Sequence, residues 1–427
     1  MTSQKCIIYW QNITFKLLCN RYMELTKAFN FVKKYKTVIF LPIICFLLFL
    51  ASFYYEFWIV ATVFSIILLL LSDFAEIIYY ILFFQMFTTC GKFAIISTFV
   101  ASGLIILKYI IGLIKKTVKF YTMPFTLTCL ICLFFSSYLT KFDIHGLYQG
   151  SSLIVSLFLI YLIFVYRDKL KLNKCADFLI CGILASASIS FLTLLFKTSS
   201  FKIFDGLGSF RRLKLLTDNE NSLSIYCSLA LSYYVSKIVN GKGNLIKNIL
   251  FSLVAIAFGL STLSKCFLVI CAFIICYLFL MLILKYKLKS IYFIAPAILL
   301  IAIMSFAFRK KIDVTFDRFL IELGTKFSLS NFTTGRSDLW TLYINKITSS
   351  IKMMLFGTGF FNERLVIIGP HNLLIHLLYR MGFIGLISLG VLAYYYYRDS
   401  DKTLKLTMKN CLPVLVFFMI SMIESFL

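Results

Sequence analysis

The chain has 427 residues, of which 61% are hydrophobic and 18% aromatic, while only 14% are charged; its mean hydropathy is +0.92. A soluble domain cannot bury that much apolar surface, and long continuous apolar runs are not the short alternating segments of a transmembrane barrel. The formal net charge of +25 falls in clusters between apolar runs, which points to topogenic charge and anionic headgroups and not to nucleic acid.

Residues 1–36 hold seven Lys/Arg and one acidic residue. They contain no apolar core of the kind a cleavable signal needs. The expectation is a basic cytoplasmic N-terminal segment. A span needs about 20 apolar residues. Candidate spans follow at 38–55, 57–72, 74–90, 93–114, 121–139, 147–166, 178–196, 222–239, 248–264, 266–284, 291–308, 373–396 and 410–427. The third is the weakest, because Asp73, Glu76 and Gln85 lie in it; a span ending at the interface explains the two acids. The fold class expected is all-α, a polytopic bundle of 12–14 spans.

Basic clusters punctuate these runs at Lys33-Lys34-Lys36, Lys115-Lys116-Lys119, Arg167-Lys169-Lys171-Lys174, Lys242-Lys247, Lys285-Lys287-Lys289 and Arg398-Lys402-Lys405-Lys409. All fall on one side if every span crosses once, and the positive-inside bias makes that side cytoplasmic. The chain then divides into N-terminal helices (37–196), a first larger external loop (197–221), central helices (222–308), a large external loop (309–372) and C-terminal helices (373–427). The large loop is partly helical by pattern: from Ser337, the residues Trp340, Tyr343, Ile344, Ile347, Ile351 and Leu355 recur at helical spacing. Gly357-Thr358-Gly359 ends that pattern, glycine being common past a helix terminus.

The thirteen cysteines mostly sit inside apolar runs. Cys129-x-x-Cys132 lacks a second pair or a nearby His, so apolar filler is its plainer reading. The three histidines, His145, His371 and His376, lie at no metal-ligand spacing and have no acidic cluster beside them, so no metal is expected.

Several residues of the two large loops can do chemistry. Arg211 and Arg212 could grip a diphosphate with planar donor forks, or simply hold headgroups at the interface. Asn221 could belong to that site or cap the next helix. Arg336 stands at a helix start, where a guanidinium joins the helix amides in favouring a phosphate oxygen; anchoring to headgroups is the alternative. Arg309, Arg318 and Arg364 share the loop but are less well placed. His371 precedes an apolar run and is either an interfacial residue or a general base.

The arrangement resembles the bacterial O-antigen ligase and polysaccharide polymerase superfamily. Matching segments are Gly335-Arg336-Ser337-Asp338-Leu339-Trp340, Gly357-Thr358-Gly359, His371-Asn372, and Gly382 and Gly385 of MGFIG. Arg212 with Asn219-Glu220-Asn221 fits the earlier loop of the family, with Glu220 in place of a proline. The resemblance covers roughly 200–390. It implies a multi-pass protein of the bacterial cytoplasmic membrane that transfers a glycan from an undecaprenyl-diphosphate-linked donor to an acceptor, without cofactor, metal or nucleotide sugar. His371, Arg336 and Arg212 would be catalytic; Arg211, Asn221, Arg318, Trp340 and Asn372 would bind diphosphate or glycan. Joining of repeat units by a polymerase is the expected activity. Ligation to another acceptor is the near alternative, and a flippase or transporter the alternative from a different class. A chain-length regulator and a flippase are the protein partners implied, beside membrane lipids.

Overall fold

The computed structural model describes residues 30–136, 144–197, 201–205, 212–286, 336–360, 371–398 and 411–423. The basic segment before residue 30, span 291–308, the start of the large loop, and Arg211, Arg309, Arg318 and Arg364 lie outside them. The described chain is all-α apart from one short ladder. Helix α1 covers 30–50. It is followed by α2 (Phe57–Leu70), α3 (Phe74–Phe84, extended by a 3-10 turn, Gln85–Phe87), α4 (Phe93–Ile114), α5 (Thr122–Ser136), α6 (Ile144–Val165) and α7 (Leu172–Leu195). Strands β1 (Phe204–Asp205) and β2 (Arg212–Leu213) pair antiparallel. Then come α8 (Glu220–Val239), α9 (Leu245–Ser261), α10 (Lys265–Tyr286), α11 (Arg336–Ile347), α12 (Ile351–Phe356), α13 (Leu373–Arg398) and α14 (Leu412–Ile423).

Among the described residues, α4, α7 and α13 are long and apolar enough to cross a membrane by length and composition. Several segments expected as spans are shorter apolar helices, among them the adjacent α2 with 14 residues and α3 with 11. Their separation has a local cause. Ser72 Oγ donates back to the Leu68 carbonyl, and the Asp73 amide donates to Glu76 Oε2, so one helix closes and the next opens within three residues.

Side-chain contacts fix which helix ends meet. Lys36 Nζ donates to the Leu71 carbonyl at 3.0 Å and pairs with Glu76 at 2.7 Å. The Lys171 amide donates to Tyr79 Oη, and Tyr166 stacks on Phe74. Lys247 meets Asp177 in the first turns of α7. The basic segments 33–36, 167–174 and 242–247 therefore gather at one end. At the other end Phe49 meets Phe196, Thr89 meets Leu216, and the Phe360 amide donates to the Phe135 carbonyl.

The interior is unusual in what it buries. The main core holds Tyr80, Phe84, Phe87, Phe93 and Leu223, and the chain also turns Ser224, Ser228, Ser232 and Ser236 of α8 inward. Each of the first three bonds a carbonyl three or four residues back in its own chain, so no hydroxyl hydrogen is wasted. Small side chains at four-residue spacing let helix backbones approach closely. Large apolar side chains such as Phe99, Leu133, Phe191 and Ile387 stand exposed on the outer faces.

Candidate functional site

The first group of candidate residues forms around Arg212 on β2. Residues 214–217 are buried although they are not helical. The Leu216 carbonyl accepts from both the amide and the hydroxyl of Thr89, and the Leu216 amide donates to Ser186 Oγ. Non-helical backbone can run inside a helix bundle only with such partners. Arg212 emerges from this anchored segment. Its Nε donates to the Thr262 carbonyl at 3.0 Å, its Nη2 to Asn221 Oδ1 at 3.3 Å, and its Nη1 pairs with Glu220. Ser264 Oγ also donates to Asn221 Oδ1, at 3.3 Å.

These contacts correct one reading of Asn221, that of a helix cap. The cap of α8 is Asn219, whose Oδ1 accepts from the Ser222 amide at 2.8 Å. Asn221 lies inside the first turn and braces Arg212. Glu220 was read only as a departure from a family pattern; here it is the counter-charge of Arg212.

The second group is built on α11, α12 and α13. Arg336 and Trp340 lie on α11 and are half-buried. The sequence pattern predicts one helix running to Leu355, and the structure corrects this. Helix α11 stops at Ile347, where Thr348 and Ser349 hydroxyls donate to the Ile344 and Lys346 carbonyls. Ser350 Oγ then accepts from the Met353 amide and caps α12. Three hydroxyl residues in a row compete with the backbone ladder and break it. Tyr343 and Ile347 stay buried, but Ile351 ends up 73% exposed.

Gly357 closes α12 with φ +68°. The following turn docks on α13 by backbone pairing. In a regular helix the Tyr379 and Arg380 carbonyls accept from residues four further on. Gly382, with φ +61°, kinks α13, and the Thr358 and Gly359 amides donate to those carbonyls at 2.8 and 2.9 Å. Two of the glycine segments singled out in the sequence are thus in direct contact.

His371 and Asn372 enter α13. Asn372 is buried and its Oδ1 accepts from the Ile375 amide at 3.1 Å, so it acts as the helix cap. His371 is half-buried and adopts φ +47°. That left-handed conformation costs a non-glycine residue about 1–3 kcal/mol, and such strain concentrates where side chains are held for a task.

Sequence reasoning missed Arg380. It is 2% exposed, the largest fully buried side chain among the described residues. Its Nη1 donates to the Gly359 carbonyl at 3.4 Å and its guanidinium lies 5.7 Å from the Tyr379 ring centre. An arginine inside an apolar helix was the available signal.

Arg336, Trp340, His371 and Asn372 are therefore carried by helices that pack together, α11 against α13 and α12 against α13. Arg212 and Asn221 are held by α8 and the α9–α10 connection. Helix α14 packs on both α8 and α13 and joins the two groups. Both lie at the end of the bundle away from the described basic clusters. Comparison with protein-family models, with curated proteins and with solved structures finds no match to this chain.

Proposed function

We propose that this chain is a multi-pass enzyme of the bacterial cytoplasmic membrane that joins undecaprenyl-diphosphate-linked repeat units on the outer face. The observation that carries the reading is the separation of charge along the bundle: Arg212 and the His371 end of α13 lie at the pole opposite the basic segments 33–36, 167–174 and 242–247. A positive-inside bias assigns those segments to the cytosol, which turns the candidate groups outward. Exposed apolar side chains on the outer helix faces and buried serines on the inner ones support a lipid surround.

In this reading His371 takes the proton of the acceptor hydroxyl as that oxygen bonds the donor's anomeric carbon. The carbon–oxygen bond to the diphosphate breaks, and the bonding pair leaves with the phosphate. Arg212 and Arg336 meet the negative charge that builds there, which lowers the barrier more than it strengthens ground-state binding. Trp340 and the amide face of Asn221 offer glycan contacts.

The test uses purified full-length protein and lipid-linked repeat units, read as a ladder of longer glycans. The reading expects a ladder that both Arg336→Ala and His371→Ala abolish. A ladder that survives both substitutions removes the site. One capped product in place of a ladder identifies a ligase, and translocation without elongation identifies a flippase.

A further inference from the structure

The basic end of the bundle holds a pocket that the proposed reaction does not use. It has a volume of about 220 Å³ and lies where the start of α7, the end of α8 and the start of α9 converge. Lys237, Lys242, Lys247, Tyr233, Asn244 and Asp177 are among its lining residues. The one carboxylate is fully engaged: Asp177 Oδ1 accepts from Tyr234 Oη at 2.8 Å, and Oδ2 from Lys247 Nζ at 2.5 Å. Lys247 thereby neutralises it. Lys237 and Lys242 make no ion pair among the described residues, so the pocket keeps two uncompensated cations. Lys237 is steered over the Tyr233 ring, 5.3 Å from its centre.

Two further features suit an anion. The N-terminal ends of α7 and α9 both reach the pocket, and helix N-termini carry partial positive charge. Tyr233 Oη is buried and has no hydrogen-bond partner among the described residues; a buried hydroxyl ordinarily has one. A phosphate oxygen seated among the lysines would supply it. Helix α9, which lines the pocket with Asn244, Lys247 and Asn248, is apolar on its other side: Leu245, Ile246, Ile249, Leu250 and Leu253 all stand exposed there, a surface suited to a lipid surround.

We propose that this pocket is a binding site for the phosphodiester headgroup of an anionic phospholipid, with Lys237 and Lys242 holding the phosphate and Tyr233 donating to it. Basic pockets between membrane helices bind such headgroups at the cytoplasmic side. The site is independent of the chemistry at the opposite end.

The test reconstitutes the full-length protein in neutral phosphatidylcholine nanodiscs and titrates in phosphatidylglycerol, with bound lipid read by native mass spectrometry. The Lys237→Gln/Lys242→Gln double variant should bind phosphatidylglycerol at least about tenfold more weakly, and Tyr233→Phe about threefold more weakly. Both variants should melt with the wild type in neutral lipid, since neither residue pair holds the Asp177 contacts. Unchanged binding in the double variant overturns the proposal. So does an equal loss in a Lys115→Gln/Lys119→Gln control, which would mean diffuse surface charge. Glycerol phosphate competing at the affinity of the intact lipid would overturn the lipid assignment in favour of a soluble phosphate.

Discussion

Arg380 and Gly359 hold each other twice: the Gly359 amide donates to the Arg380 carbonyl at 2.9 Å, and the Arg380 guanidinium returns a bond to the Gly359 carbonyl at 3.4 Å. This reciprocal pair fastens the turn after α12 to the kinked helix that follows His371 and Asn372. Replacing Arg380 with Met should loosen the turn and not the bundle. The expected cost is about 1–3 kcal/mol, seen as faster hydrogen exchange of the Thr358 and Gly359 amides. Unchanged exchange there would show that the glycines alone secure the junction.

The glycines themselves leave no room. A Cβ on Gly382 would lie 2.3 Å from the Leu355 backbone, and one on Gly357 would lie 2.6 Å from the Arg380 backbone. Each also has positive φ. Gly382→Ala should therefore destabilise by at least about 3 kcal/mol, combining strain and overpacking. Gly390→Ala, in the same helix with open space around it, should be neutral or slightly stabilising. Thermal unfolding of the purified variants in one detergent compares them.

His371 separates stability from activity. Its left-handed backbone favours glycine, so His371→Gly should melt no lower than His371→Ala, by a margin of about 1 kcal/mol in its favour. Under the proposed function both substitutions lower glycan elongation by about 10²–10⁴. An elongation rate in the glycine variant near that of the wild type would remove the imidazole from the mechanism.

Arg212 and Glu220 make a similar contrast. Arg212→Ala should lower elongation by about 10²–10³, because it removes a cation from the developing diphosphate. Glu220→Gln keeps the guanidinium and lessens the competition for it, so donor binding should tighten while the ladder persists. Loss of the ladder in Glu220→Gln, equal to that in Arg212→Ala, would assign the essential charge to the carboxylate. A steady-state titration of lipid-linked donor distinguishes the two.

Orientation is testable without substrate. In a chain stripped of its thirteen cysteines, cysteines introduced at Tyr54 and Lys242 occupy opposite ends, and both positions are exposed. A membrane-impermeant maleimide should label the first in intact cells and the second only after the inner face is opened. The reverse pattern would turn Arg212 and His371 to the cytosol.

Much of this architecture could be read from the residues, and the failures have physical causes. The apolar runs placed α4, α7 and α13 because length and composition are strong signals. Asn221 was open between a site residue and a helix cap, and the cap is taken by Asn219, the same side chain two residues earlier; composition alone does not separate the two. The break at 348–350 was hidden by a regular apolar repeat on both sides of three small hydroxyl residues. Nothing in the chain links Gly357 to Gly382, because their fit depends on backbone approach and not on a pattern. Arg380 was overlooked because the surrounding run outweighed one charged side chain.

The doubly bonded Leu216 carbonyl has a mechanical consequence. Leu216 stands four positions after Arg212; its carbonyl is gripped by Thr89 after α3 and its amide by Ser186 within α7, not by the hairpin. The height of that guanidinium is therefore set by helices from the first half of the chain. Any sliding of α3 against α7 would drag the charge along the bundle axis, so drift in a distant layer would be felt as a misplaced cation.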